Sequence, residues 1–533
     1  MGMHARECLF QGGTVYTMDK ANPIAEAVAV RDGVVVAVGG AVACRGALGR
    51  SPQVVDLKRG TLLPGFCDSH MHPVSTIFAV MQSDLKGMHD LSELIERLKE
   101  ADRALAPDKW VIGLNFDEQD MAQPRLPNRH DLDRVSPARP VVVVKHDGHS
   151  VIANSAAMAA SGITQDVSAP EGGFIDRDDS GIPLGIFREN AKPLIMNHLP
   201  LPGLEELVIG AHKAATIMLG HGITSLGLIL ETGQEGGSSY GAFDVPAIEI
   251  LRPHIPQALY ALIMSRDVEA VLKLKESRLG DAGGRTRVGG VKIIADGTFG
   301  SLTAAMEEDF SDAPGNRGFM IYDETELYEL MRGTHKAGLQ LGIHAIGDKA
   351  NRICIENYEK ILKSHPRANH RHRIEHASIL NPDLLRRAKA LGLVLCMQPL
   401  FIRSDMPYMA KRIGKARMAH TYPFRSIADM GLTVAGSSDA PVESLSVLEA
   451  IECAVTREGY VVEQALSVAE AIAMYTINAA YAQFEEDVRG SIAKGKQADF
   501  VLLEENPLNV PPQEIHAIPV RATFIAGETL YSA

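Results

Sequence analysis

The stretch TLLPGFCDSHMHP, residues 61–73, passes from apolar to polar within a few residues and carries two histidines one residue apart. The apolar run reads as a buried strand. Side chains alternate along a strand, so His70 and His72 share one face. An H-x-H pair alone is a weak signal for metal binding. Its meaning depends on whether later strands bring partners to the same place.

Runs of the same form recur down the chain. Buried-type strands are read at about 62–70, 223–230 (ITSLGLIL), 257–264 (QALYALIM), 288–296 (VGGVKIIAD), 339–345 (LQLGIHA), 371–378 (RHRIEHAS), 392–399 (GLVLCMQP) and 432–439 (LTVAGSSD). Between most of them lie apolar periodicities close to 3.6, as in DETELYELMRGTHKAG and NPDLLRRAKALG. Eight strands alternating with helices predict an α/β fold of the (β/α)8 TIM-barrel type. About 150 residues separate the first two strands, and that gap holds its own strand-like VVVVKHDGHS and EGGFIDRDDSGIPLG. It predicts an inserted subdomain at about 80–200. Residues 1–62 are rich in short β-like runs with Val-Gly and Asp-Gly punctuation, and residues 482–533 show similar β-like runs. The two ends are therefore expected to pair into a small β-sandwich, leaving 63–481 as the barrel.

In a TIM barrel the reacting groups sit at the C-terminal ends of the strands. Here strand one ends in His70 and His72, strand five carries His344, strand six His376, and strand eight ends at Asp439. Strand four carries Lys292, with Asp296 four residues on. Each has a plainer reading by itself: a hydrogen-bonded core histidine, a helix cap for Asp439, a salt bridge from Lys292 to Asp296. With 19 histidines in the chain, some fall on strands by chance. Chance does not readily supply H-x-H, Lys, His, His and Asp on strands one, four, five, six and eight, converging on one rim.

Imidazole and carboxylate together suit zinc best, and manganese, iron or cobalt fit the same donors. One or two divalent metal ions are the expected cofactor. Such an ion lowers the pKa of its water to about 7, giving hydroxide at neutral pH. Asp439 can hold that hydroxide, accept its proton and pass it to a leaving group. For Lys292 the sharper reading is a carbamate formed from its neutral amine and carbon dioxide, an anionic group with two oxygens that can bridge two metals.

These residues resemble the amidohydrolase superfamily of metal-dependent hydrolases. PGFCDSHMHP is similar to its strand-one signature, and EHAS and GSSDAPVE to its strand-six and strand-eight signatures. VKIIADGTFGS, DGHSVIANSAAM and HAIGDKANR resemble amidohydrolase family 3, which includes N-substituted formamide deformylases. GKQADFVLLEENPL resembles the superfamily's C-terminal return into the β-sandwich. The resemblance implies that His70, His72 and Asp439 bind the more buried metal and that His344 and His376 bind a second. It implies that Lys292 is the carboxylated bridge and Asp439 the general base, the two catalytic groups. One departure is Leu302 in GSLTAAM, where family members often show an Arg-Thr pair, so any substrate contact made by that arginine is in doubt here.

The inserted segment is expected to lid the pocket. Trp110, the only tryptophan, is a candidate for walling the substrate or for anchoring the subdomain core. His149 in HDGHS is a candidate for reaching the substrate or for a structural hydrogen bond. Asp296, at the start of a glycine-bounded loop, is a candidate for orienting Lys292 or the substrate.

The leading function is hydrolysis of a C–N bond of an amide, formamide or cyclic amide, other than a peptide bond, by metal-activated hydroxide. Deamination of a heterocycle at a single metal and ester or lactone hydrolysis use the same residues. A catalytically inactive scaffold is disfavoured by the full ligand set. The net charge, 53 − 66 = −13, argues against nucleic acid and against an anionic membrane surface, leaving a small-molecule substrate. Six scattered cysteines without C-x-x-C spacing read as reduced thiols in a cytoplasmic protein. Neither a signal peptide nor a membrane-length apolar run is read. Oligomeric state is not legible, though large barrels of this kind often form dimers, so a homodimer is held open.

Overall fold

The computed structural model describes residues 6–145, 150–200, 202–232, 243–277, 279 and 285–533. They divide into two compact units, one made of Met1–Ser75 with Ala215–Ala533 and the other of Thr76–Ala214.

The larger unit contains eight parallel strands: Phe66–Met71, Ile223–Glu231, Ala258–Met264, Thr286–Ile294, Gln340–Ala345, Arg373–His376, Val394–Met397 and Thr433–Gly436. Each pairs with the next in chain order. Every residue of the second and third strands is buried, as expected where both sheet faces are covered. The ring closes between the first and eighth strands. There the Asp439 amide donates to the His70 carbonyl at 2.9 Å and the His72 amide to the Ala440 carbonyl at 2.8 Å. This is the TIM barrel that the sequence predicts.

The strands fall close to where the apolar runs place them, but the first begins only at Phe66 and the fourth, sixth, seventh and eighth stop two or three residues earlier, the sixth and eighth with a visible cause. The reason is conformational. His376 has φ +70° and Asp439 φ +57°. Left-handed backbone cannot continue an extended ladder, so the polar ends leave the sheet as they reach the rim. The helices between strands follow their sequence signals closely. In NPDLLRRAKALG, Asn381 accepts from the Asp383 and Leu384 amides, Leu384, Leu385 and Ala388 are buried, and Gly392 ends the helix at φ +68°.

Strands from both chain ends combine in one sheet of eight strands. The segments Val34–Gly39, Ile24–Arg31, Glu7–Tyr16 and Thr61–Pro64 continue into Phe500–Leu503, Val520–Ile525 and Glu528–Ser532, with Gln53–Asp56 beside Glu7–Tyr16. The Asp32-Gly33 turn has φ +50° and +79°, the paired positive values of a tight hairpin. Phe10 lies 5.1 Å from Phe524, ring centre to ring centre. Three strand spacings of a flat sheet would separate their strands by about 14 Å. The sheet therefore curls over its own apolar core, so that its halves face each other as the layers of a sandwich do.

The unit Thr76–Ala214 is built on a sheet of six strands. Its best-determined joint is Asn154, fully buried at the start of the helix Ser155–Ala160. Its side-chain oxygen accepts from the Val141 and Ala157 amides at 2.9 and 2.8 Å, and its NH2 donates to the Ser136 and Arg139 carbonyls at 2.9 Å each. Asn154→Ala strands four backbone groups and is expected to cost this unit about 2–3 kcal/mol. Trp110 packs in the same apolar cluster as Ala153 and Ala157. As the only tryptophan, its fluorescence in a urea titration reads this unit's midpoint, and an unchanged midpoint would refute the assignment. Among the described residues, no helix is long and apolar enough to cross a membrane.

Candidate metal centre

Three groups converge most closely at the C-terminal rim of the barrel. The Nε2 atoms of His70 and His72 lie 3.2 and 3.3 Å from Oδ1 of Asp439. One ligand atom from each of the three residues falls within 4.8 Å of the others. His70 and Asp439 are buried, yet His70 Nε2 and Asp439 Oδ1 make no hydrogen bond. Buried polar atoms are rarely left unpaired. A cation between them would take up both lone pairs, and the donor set of two imidazoles and a carboxylate suits a divalent metal.

The remote nitrogens explain the arrangement. His70 Nδ1 lies 2.7 Å from Glu375 Oε2, His376 Nδ1 lies 2.9 Å from Gln398 Oε1, and His344 Nε2 lies 3.1 Å from the Gly297 carbonyl. Each acceptor takes the ring proton on that side, so each imidazole turns its lone pair the other way. The His376 ring lies 5.1 Å from that of His70 and 4.5 Å from that of His344, centre to centre. Burial pulls His376 down to about 3 and His344 well below its ordinary value, so both are neutral near pH 7, as a metal ligand must be. Burial alone would raise the Asp439 carboxyl. The facing His70, His72 and His376 outweigh it and hold the group ionised.

Lys292 is buried among these groups, and burial brings its amine down to about 8. Among the described residues the amine has no hydrogen bond or ion pair. The alternative salt bridge to Asp296 does not form. The fourth strand ends at Ile294, so side-chain alternation no longer governs Asp296. Its carboxylate is engaged by the amides of Ala305 (2.9 Å), Ile346 (3.0 Å) and Gly347 (2.9 Å). It joins the loops after strands four and five, 3.5 Å from His344 Nε2. Trp110 belongs to the apolar core of the unit Thr76–Ala214. His149 lies outside the described residues.

The candidate residues read from the sequence omit four that build the centre. Arg373 and Glu375 form a buried pair, with Arg373 Nε 2.7 Å from Oε1 and Nη2 2.8 Å from Oε2. Arg373 also donates to the Ser69 carbonyl at 2.9 Å. Gln398 receives the His376 proton and donates to Ser437 Oγ at 2.8 Å. Asp68 accepts from the amides of His70 and Ser438 and from the Ser438 hydroxyl, tying strand one to strand eight. A signal for one pair existed: two opposite charges two residues apart in RHRIEH, at positions that share one face of a strand.

Comparison with known proteins identifies the family and the fold. The model of a family described as the amidohydrolase family matches residues 53–531. The chain is 32% identical to the protein YtcJ of Bacillus subtilis (strain 168), covering 98% of this chain and 99% of the other. It is 29% identical to an N-substituted formamide deformylase of Arthrobacter pascens, over 99% and 98% of the two chains. Its fold is similar to that of a crystal structure of an uncharacterized metal-dependent hydrolase from Pyrococcus horikoshii OT3. That likeness has a TM-score of 0.76 and 25% identity over 95% of this chain and 99% of that one.

Proposed function

The chain belongs to the amidohydrolase family, and from that premise we propose that it is a metal-dependent hydrolase that opens a C–N bond of an amide, formamide or cyclic amide. The observation that carries this reading is the pair of buried, unbonded atoms, His70 Nε2 and Asp439 Oδ1, facing each other beside His72. Similarity to an N-substituted formamide deformylase along almost the whole chain favours the C–N bond over an ester.

His70, His72 and Asp439 would hold one divalent ion, and His344, His376 and Lys292 a second. An ion bound there supplies Lewis acidity that brings the pKa of water to about 7 and polarises a carbonyl. The chain's own groups do the rest. Asp439 takes the proton of the attacking water on a carboxylate oxygen. The water oxygen adds to the carbonyl carbon, the C–N bond breaks, and Asp439 returns the proton to the leaving nitrogen. Glu375 and Gln398 hold the His70 and His376 rings in the tautomer that leaves their lone pairs inward. Buried and without a partner among the described residues, Lys292 is suited to become a carbamate, whose two oxygens would give the second ion anionic ligands.

A mononuclear deaminase is the second reading, favoured by the fact that, among the described residues, only His70, His72 and Asp439 converge within 4.8 Å. Metal analysis with native and denaturing mass spectrometry separates the two. We expect two divalent ions per chain and a mass increment of about 44 Da on Lys292 that is lost on acid denaturation. Full activity with one ion and an unmodified lysine would sink the two-metal version. Release of an amine and a carboxylate from an N-substituted formamide, rather than of ammonia from a heterocycle, tests the bond that is cut.

A further inference from the structure

At the N-terminal end of the barrel, opposite the candidate metal centre, lies a cavity of about 350 Å³. It opens where strands three, four and five begin, at Tyr260, Arg287 and Gln340. Arg287 stands five residues before Lys292 on the same strand, about 16 Å away along it. The cavity therefore belongs to the other face of the barrel.

Its lining is cationic. Lys275, Arg287 and Arg367 all contribute, and among the described residues no carboxylate does. Among the described residues none of the three forms an ion pair. That is unusual in a chain of net charge −13, where the neighbouring arginines are neutralised: Arg371 by Glu486 and Arg489 by Glu485. Two of these cations are held in place by neutral groups. Arg367 donates to the carbonyls of His335 at 2.9 Å and Leu339 at 2.8 Å. Arg287 donates to the Phe484 carbonyl at 3.2 Å and lies 5.8 Å over the Tyr260 ring. A guanidinium has five donors in a fixed plane, so both keep donors to spare. The Tyr260 ring fits because position 289 is glycine, where a Cβ would come within 2.0 Å of it.

We propose that this cavity is a binding site for a small dianionic oxyacid, a phosphate monoester or a dicarboxylate. Three unneutralised cations concentrate positive potential in a partly enclosed space, which attracts anions far more than the same charges would on an open surface. The volume is at the lower end of small-molecule sites, roughly 300–1,000 Å³. Planar Arg donors match the geometry of both phosphate and carboxylate.

The test is isothermal titration calorimetry of the full, metal-loaded chain with glycerol 2-phosphate and with malonate, glycerol serving as the neutral control. The comparison protein is Lys275→Glu/Arg287→Glu, in which both altered side chains are exposed. The expected result is saturable binding of at least one dianion, no binding of glycerol, and affinity at least about tenfold weaker in the reversed variant with its hydrolase activity unchanged. Which dianion binds more tightly identifies the headgroup. The milder pair Lys275→Gln/Arg287→Gln carries the same expectation at smaller size if charge reversal disturbs folding. No saturable binding of either dianion overturns the proposal. So does equal affinity in wild type and variants, which would locate the anion at the metal centre instead.

Discussion

Asp439→Asn is expected to fold and to retain its barrel while losing about 10²–10⁴ in turnover, the span ascribed to a positioned acid–base group. That loss corresponds to about 3–5 kcal/mol of transition-state stabilisation. Asparagine has almost the same shape as aspartate and tolerates left-handed backbone, so φ +57° at this position is not a strain for it. The Asp439 amide keeps its bond to the His70 carbonyl, so the closure of the barrel is unaffected. What disappears is an oxygen able to take a proton from water and return it to the leaving nitrogen. Steady-state turnover beside a thermal melt checks this. Near-normal turnover in a folded variant would remove Asp439 from the role of base.

Arg373→Met should be the most destabilising single change near the centre, by about 3–5 kcal/mol, because it leaves a buried carboxylate without its cation. Arg373 and Glu375 are both fully buried and bonded through two nearly parallel contacts of 2.7 and 2.8 Å. Arg373 and His70 together outweigh burial and keep Glu375 ionised well below the ordinary carboxylate range. With the guanidinium gone, Glu375 must take up a proton or remain as an unpaired charge, and the Ser69 carbonyl loses its donor as well. The double variant Arg373→Met/Glu375→Gln removes both charges and should recover much of the loss. Denaturant midpoints of the two variants at equal metal content measure the coupling. A single variant as stable as wild type would mean that the pair contributes nothing to the fold.

These two residues show where sequence reading reached and where it stopped. His70, His72, Lys292, His344, His376 and Asp439 are legible because each sits at or near the end of an apolar run, and the order of runs around a barrel follows chain order. Arg373 and Glu375 lie in the same quoted run as His376, yet their role depends on what faces them across the barrel. Asp296 shows a different limit of that reading. Counting by twos from Lys292 places it on the interior face, but counting by twos holds only while the strand lasts, and the strand ends at Ile294.

His376 draws the boundary most clearly. Strict alternation would send Glu375 and His376 to opposite faces of the sheet, and only one could serve the centre. Both serve it, because the backbone turns to φ +70° at His376 and swings its ring to the side that Glu375 already occupies. Hydrophobic periodicity is a property of neighbouring residues, so the sequence by itself determined the eight strands, their order, the inserted segment and the rim on which the histidines gather. Tautomer, lone-pair direction and the pairing of buried charges are set by groups hundreds of residues apart, such as His70 and Glu375. Those contacts exist only once the barrel has closed, and so the tertiary structure alone decided which atoms face one another at the rim and which hold them there.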